Sequence, residues 1–123
     1  ALDKPREALE IFEQALCVVK SVYGEVHPHT AAVLDNIGSC WRFLEEYETA
    51  IRYYEQALAI NRSVPDRSEE DIALNLANIG KAYTSWGNKE KGTPYLREAE
   101  TLLKKVFGPD HAFTKAISKW LAE

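Results

Sequence analysis

The chain has 123 residues, of which 46% are hydrophobic and 28% charged, and its formal net charge is −4. This composition is typical of a soluble globular domain with one small core and excludes an intrinsically disordered segment. No apolar run approaches the roughly 18 to 20 residues that span a bilayer, the N-terminus lacks the order of a signal peptide, and no Lys/Arg-rich block offers a basic face to nucleic acid or an anionic membrane. We therefore expect a cytoplasmic protein whose partners are neither nucleic acids nor membranes.

Helical periodicity runs along the whole chain. In the first segment, 3–23, apolar residues recur at three- and four-residue steps, and Asp3 or Lys4 would cap the N-terminus. Gly24 and Pro28 separate this segment from the next one. The same reasoning predicts five further helices, at about 29–44, 47–62, 68–86, 89–106 and 112–121. Connections of a few residues make successive helices antiparallel neighbours, so the predicted fold class is all-α.

The stretch 34–58 holds two of these segments, and parts of it recur at one spacing. The triplet Asn-Ile-Gly at 36–38 returns at 78–80, and the run Glu-Gln-Ala-Leu at 55–58 is preceded by the same run at 13–16. Both pairs are 42 residues apart. A fixed period of this size is the mark of a repeat array. Within the stretch, small residues allow the backbones of two helices to approach closely, and aromatic rings fill the space between them. The residues of this pattern are Leu34, Ile37, Gly38, Trp41, Ala50, Tyr54 and Ala57.

This pattern resembles the tetratricopeptide repeat (TPR), in which a large residue, Leu-Gly and an aromatic on one helix precede a small residue and an aromatic on the next. The middle copy matches with conservative replacements. The third copy has Gly92 and Leu96 at the small and aromatic places, and Gly92 should weaken its helix by roughly 1 kcal/mol relative to Ala. The 42-residue period, the loop 107–111 with its looser copy 23–28, and the segment 92–96 resemble the kinesin light chain type of repeat. The resemblance implies a solenoid of antiparallel helix pairs with about six helices.

The repeat register divides this single TPR domain fragment into four parts. Residues 1–26 correspond to the second helix of a truncated repeat, 27–64 and 65–107 to complete repeats, and 108–123 to the first helix of a following repeat. We therefore expect part of a longer array with two partly uncovered end faces. The residues expected on these faces are Leu9, Ile11, Phe12 and Leu16 at one end, and Ile117, Trp120 and Leu121 at the other.

In the tetratricopeptide family the first helices line a concave groove that receives an extended peptide or a partner helix. The resemblance therefore implies a non-catalytic protein-interaction module. The implied lining residues lie on first helices and point away from the second helices: Asp35, Asn36, Ser39, Arg42, Phe43, Ala77, Asn78, Lys81, Thr84, Ser85 and Lys119. Asn36 and Asn78 hold the same place one repeat apart, and an amide can pair with the backbone of a bound segment. Arg42, Lys81 and Lys119 would add a basic lining for acidic residues.

Other interpretations of these residues remain open or are disfavoured. The asparagines could brace neighbouring helices, and the basic residues could form a solvated face. Asp35 argues against a carboxylate clamp, and His27 and His29 have no third ligand of metal-binding spacing. We expect no cofactor, no metal and no catalysis, since phosphate-loop, nucleophile-elbow and zinc-protease motifs are absent from the sequence. Cys17 and Cys40 are predicted to be reduced, mostly buried thiols. The principal functional alternative is a scaffold that self-associates through its end helices.

Overall fold

The computed structural model describes residues 4–123, so the predicted cap Asp3 lies outside the described residues. Within this range the chain forms six α-helices and no strand, which confirms the all-α class. The helices are α1 Lys4–Tyr23, α2 Pro28–Phe43, α3 Tyr47–Ser63, α4 Glu69–Ser85, α5 Lys89–Phe107 and α6 Ala112–Ala122. The chain divides into two compact units, unit 1 up to Asp66 and unit 2 from Arg67.

The loops before α2 and α6 share one construction. Gly24 and Gly108 have φ angles of +91° and +87°, a left-handed conformation that glycine adopts without a steric penalty. Their carbonyl oxygens accept hydrogen bonds from the fully buried hydroxyls of Thr30 (2.7 Å) and Thr114 (2.9 Å). The two loops therefore fold back in the same way, although they lie 84 residues apart in the chain.

Histidine caps the helix that follows each of these loops. The Nδ1 atom of His27 accepts from the backbone N–H of His29 at 3.0 Å, and Nδ1 of His111 accepts from the N–H of Phe113 at 3.1 Å. These bonds satisfy amide groups that have no partner within the first turn of a helix. Both histidines therefore have a structural role as helix caps.

In unit 1, α2 packs antiparallel on α3, because Ala31 packs with Ala57 near one end while Gly38 meets Tyr54 near the other. A Cβ atom on Gly38 would lie 2.8 Å from Tyr54 Cε1, so the two helices cross as closely as the repeat pattern predicts. Leu9 of α1 is buried beside α2, in a cluster with Ile37 and Cys40.

The predicted end face of α1 is only partly correct. Leu9 is 9% exposed and Leu16 packs against the same clusters, so neither side chain is uncovered. Ile11 is 64% exposed, as the register predicts, and Phe12 is half-buried. The expectation that both cysteines are buried is also wrong in part. Both are free, but Cys17 is exposed while Cys40 is buried.

In unit 2, α4 and α5 cross at two glycines. A Cβ atom on Gly92 would lie 2.7 Å from the carbonyl oxygen of Gly80, and a Cβ on Gly80 would lie 2.6 Å from Leu96 Cγ. Gly92 is therefore the residue that this close crossing requires, rather than a weak copy of the repeat's alanine. The helix continues through Pro94, and in its first turn the Gly92 N–H donates to the Asn88 carbonyl.

Helix α6 packs on α5 and covers part of the predicted second end face. Ile117 is 3% exposed, and it shares a small cleft with Leu103 of α5. The prediction that Ile117 is uncovered is therefore wrong. Trp120 and Leu121 are half-buried.

Candidate functional site

Three of the predicted lining residues gather in unit 1, at an apolar cavity of about 390 Å³ between α1 and α2. Asn36, Ser39 and Phe43 lie three or four residues apart and so share one face of α2. Helix α1 forms the opposite wall, and its lining residues Lys4, Ala8 and Phe12 are again four residues apart. The complete lining is Lys4, Pro5, Ala8, Phe12, Asn36, Ser39, Cys40 and Phe43. Sequence reasoning did not identify the contribution of α1 to this site.

Aromatic and polar groups stand at the rim of this cavity. Phe43, the last residue of α2, is 70% exposed, which is unusual for a side chain of this size. The guanidinium carbon of Arg42 lies 5.7 Å from the centroid of the Phe43 ring, within range of a cation–π contact. Asn36 is exposed, while Asp35 is half-buried. The rim therefore offers the Phe43 ring and the Asn36 amide to solvent, with the half-buried Arg42 beside the ring.

The back wall is fixed by a bond between Ser39 and Tyr54. Their hydroxyl oxygens lie 2.9 Å apart, and Tyr54 is fully buried beneath the site. Burial raises the pKa of the Tyr54 phenol above its ordinary value, so the group remains neutral. Ser39 thus connects the wall of the cavity to the α2–α3 crossing, and its hydroxyl is already engaged within the fold.

The equivalent lining residues of unit 2 lie in a different environment. Asn78 and Lys81 line a cleft of about 70 Å³ that α5 and α6 close with Leu103, Phe113 and Ile117. Asn78 is accordingly half-buried, whereas Asn36 is exposed.

The predicted lining residues of unit 2 do not all share this cleft. The Nζ atom of Lys81 lies 5.9 Å from the centroid of the Trp120 ring, so its charge already faces an aromatic partner. Ser85 and Lys119 are exposed and do not line the cleft. Ala77 lines the cleft together with Asn78 and Lys81, and only 3% of it is exposed. The prediction for Thr84 is wrong, because its hydroxyl donates to the Gly80 carbonyl and lies on the side that faces α5.

Sequence reasoning missed a second, more polar cavity of about 750 Å³ in unit 2. Stacked aromatic rings mark it: the centroids of Tyr83 and Tyr95 are 5.8 Å apart, and those of Tyr83 and Trp86 are 6.3 Å apart. The lining also includes Pro94. An aromatic residue directly after a proline near the start of α5 was the available signal.

The described part of the chain contains no group of three His, Cys, Asp or Glu side chains that could hold a metal ion. The rings of His27 and His29 lie 5.0 Å apart, but the Nδ1 atom of His27 already serves as a helix cap. Over residues 4–123 no helix combines the length and apolar character needed to cross a bilayer.

Comparison with known proteins identifies the family of this chain. Family models described as tetratricopeptide repeat match residues 1–63 and residues 74–102. Two crystal structures of nearly identical TPR-like repeats from a kinesin light chain type of protein of Podosopora anserina share the fold, each with a TM-score of 0.84 at 19% identity over 97% of this chain. The chain spans 56% of the length of each of those structures. No curated protein matches it in sequence. With six helices in residues 4–123, the 42-residue period and a family match over more than half its length, the chain belongs to the tetratricopeptide repeat family.

Proposed function

We propose that this chain is a non-catalytic module that binds a peptide or short helix of a partner protein at the cavity between α1 and α2. Tetratricopeptide repeats are generally protein–protein interaction modules and are typically non-catalytic. The observation that carries the proposal is the apolar cavity of about 390 Å³ with Phe43 standing 70% exposed at its rim. Exposed aromatic anchors beside apolar pockets are the usual centres of binding energy in protein interfaces.

The polar groups of the rim suit a peptide rather than a small hydrocarbon. The Asn36 amide can donate to and accept from a peptide backbone, which contributes affinity without selecting a side chain. Arg42 would favour an acidic residue on the ligand, next to the ring of Phe43. In unit 2, we propose that Asn78, Lys81, Ser85 and Lys119 make only peripheral contacts with a bound peptide.

A selection from a displayed library of random 16-residue peptides tests this proposal, with binding of the recovered peptides measured by fluorescence anisotropy. Phe43→Ala is expected to weaken them at least about tenfold, as truncation of a central aromatic anchor does. Val26→Ala is the control, since Val26 is 63% exposed and lies outside the cavity. Recovered peptides that bind the Phe43→Ala variant with unchanged affinity would refute the proposed site.

Self-association through the end helices is the alternative, and the exposed apolar residues of α1 favour it. Ile11 and Val18 are 64% and 60% exposed. The other expected end is less suited to association, because Ile117 is covered. Light scattering over a range of concentrations separates the two functions: growth in mass that Val18→Glu abolishes would support self-association, and a constant monomeric mass would exclude it.

A further inference from the structure

The cavity of about 750 Å³ in unit 2 combines aromatic rings with charged side chains. Tyr83 and Tyr95 line it, and Trp86 stacks on Tyr83, so the three rings form one continuous row. The interplanar angles along this row are 22° and 23°. Trp86 is 48% exposed, so the row presents an indole to solvent. The negative face of an aromatic ring attracts cations, and the face of tryptophan does so most strongly.

Two carboxylates of α5 add negative charge to the same cavity. Glu90, Pro94 and Glu98 line it, and their four-residue spacing places them on one face of the helix. Both glutamates are exposed. Among the described lining residues the opposing cation is Lys91, so negative charge is in excess. An anionic ligand is therefore disfavoured, and a cationic ligand is favoured.

The repeat register shows which cation suits this place. Glu48 of α3 stands 42 residues before Glu90, and Arg52 stands 42 residues before Pro94. In unit 1 the Nη2 atom of Arg52 donates to Oε1 of Glu48 at 3.0 Å, one helical turn away. In unit 2 the place of that arginine is taken by Pro94, which carries no charge and no donor. The carboxylate of Glu90 therefore lacks the arginine that its counterpart has within its own helix.

Pro94 also leaves a backbone acceptor beside this carboxylate. In an α-helix the carbonyl of residue 90 accepts from the N–H of residue 94. Pro94 has no N–H, so α5 cannot form that bond although the helix continues through this residue. The Glu90 carbonyl oxygen can then accept from a ligand. The side-chain oxygen of Asn88, by contrast, already caps α5 by accepting from the Lys91 N–H at 3.2 Å.

We propose that this cavity binds an arginine side chain of a partner protein. A guanidinium is planar and carries five N–H donors, so it can stack on a ring while its edge donates to a carboxylate and a carbonyl. A lysine ammonium is more strongly hydrated and cannot stack flat. The arginine is assigned to a protein because tetratricopeptide repeats are generally protein–protein interaction modules. The site uses residues of unit 2 alone, and the inference does not rest on the cavity between α1 and α2.

Peptides with blocked ends test the proposal, with the sequence Gly-Ser-Arg-Ser-Gly as the probe. In one control peptide citrulline replaces arginine, because it has nearly the same shape without the charge, and in the other lysine replaces it. Binding to the intact chain is followed through the backbone amide chemical shifts in nuclear magnetic resonance titrations. We expect saturable shifts within residues 83–98, with a Kd in the millimolar range because the pair is solvent-exposed. Citrulline should weaken binding at least about fivefold and lysine at least about twofold.

Variants at the carboxylates locate the bound arginine. Glu90→Gln and Glu98→Gln each remove one charge from an exposed position and should weaken the arginine peptide about two- to fivefold. Glu55→Gln is the matched control, because it removes the same charge from an exposed position of α3 outside the cavity and should have no effect. Unchanged far-ultraviolet circular dichroism verifies that each variant is folded.

Replacement of Pro94 tests the comparison with unit 1. Pro94→Arg would recreate within α5 the pair that Arg52 and Glu48 form in α3, so the new side chain should compete with the peptide. Pro94→Ala restores the backbone N–H without adding charge. We expect the arginine peptide to bind Pro94→Arg at least about threefold more weakly than Pro94→Ala.

Four results would each overturn the proposal. They are equal affinity for the arginine and citrulline peptides, lysine binding as tight as arginine binding, shifts confined to residues outside 83–98, and affinities that neither glutamine substitution in α5 changes. The absence of any shift at about 50 mM arginine peptide would do the same, since a millimolar site is saturated at that concentration.

Discussion

Replacement of Gly92 by Ala would raise the helix propensity of α5 but would overpack its crossing with α4. In a helix interior, Ala is favoured over Gly by roughly 1 kcal/mol. A Cβ at residue 92, however, would lie 2.7 Å from the Gly80 carbonyl oxygen and 2.9 Å from Thr84 Oγ1. The carbonyl belongs to a helix backbone, so relief requires α4 and α5 to separate, and overpacking of this kind costs about 1 to 3 kcal/mol. The expected net result is a loss of free energy of unfolding on the order of 1 kcal/mol.

Urea unfolding followed by circular dichroism measures this loss as a lower transition midpoint at an unchanged slope. Ala59→Gly, at an exposed position within α3, calibrates propensity alone and should cost roughly 1 kcal/mol. If Gly92→Ala instead raises the midpoint by about as much as Ala59→Gly lowers it, then the close glycine crossing is not present in solution and the packing argument fails.

Three further predictions concern single side chains. Because burial raises the pKa of Tyr54 from 10.0, folding favours the neutral phenol, so the free energy of unfolding should fall as the pH rises above about 10. Tyr54→Phe should reduce that alkaline loss in urea titrations, and an identical loss in both proteins would contradict the assignment. His111→Ala should lower the free energy of unfolding by about 1 kcal/mol in thermal unfolding, because the helix cap is lost. His111→Asn should retain most of that free energy, because Asn can also cap a helix. Equal losses in the two variants would refute the capping role. Under native conditions a thiol reagent should modify Cys17 quickly and Cys40, which is buried and has a raised pKa, only on unfolding; two equally fast thiols would be inconsistent with this packing.

The helices and their ends were largely predictable from local chemistry. Apolar spacing and the breaks at Gly24 and Gly108 gave boundaries close to those of the structure, since a left-handed turn at glycine ends a helix whatever surrounds it. The pattern of small and aromatic residues in 34–58 also predicted that its two helices approach closely, and the contact between Gly38 and Tyr54 confirms this. Such features depend on residues near in sequence or on a pattern that recurs.

Features that depend on which helix covers which face were less predictable. Cys17 and Cys40 both lie in amphipathic helices, and only the packing of α1 and α2 leaves one exposed and the other buried. Gly92 was interpreted from propensity as a defect because the backbone crossing it allows is a tertiary feature. For the candidate site, the sequence identified Asn36, Ser39 and Phe43 on α2, but the wall from α1 depends on how α1 packs beside α2.

Intermolecular nuclear Overhauser effects test the central claim most directly, namely that a peptide or short helix of a partner binds at the cavity between α1 and α2. The chain, labelled at its Phe rings, would be saturated with an unlabelled peptide recovered from the displayed library. We predict contacts from the peptide to the rings of Phe12 and Phe43, which line the cavity. Contacts confined to unit 2, or a saturated complex in which neither ring shows any, would contradict the account.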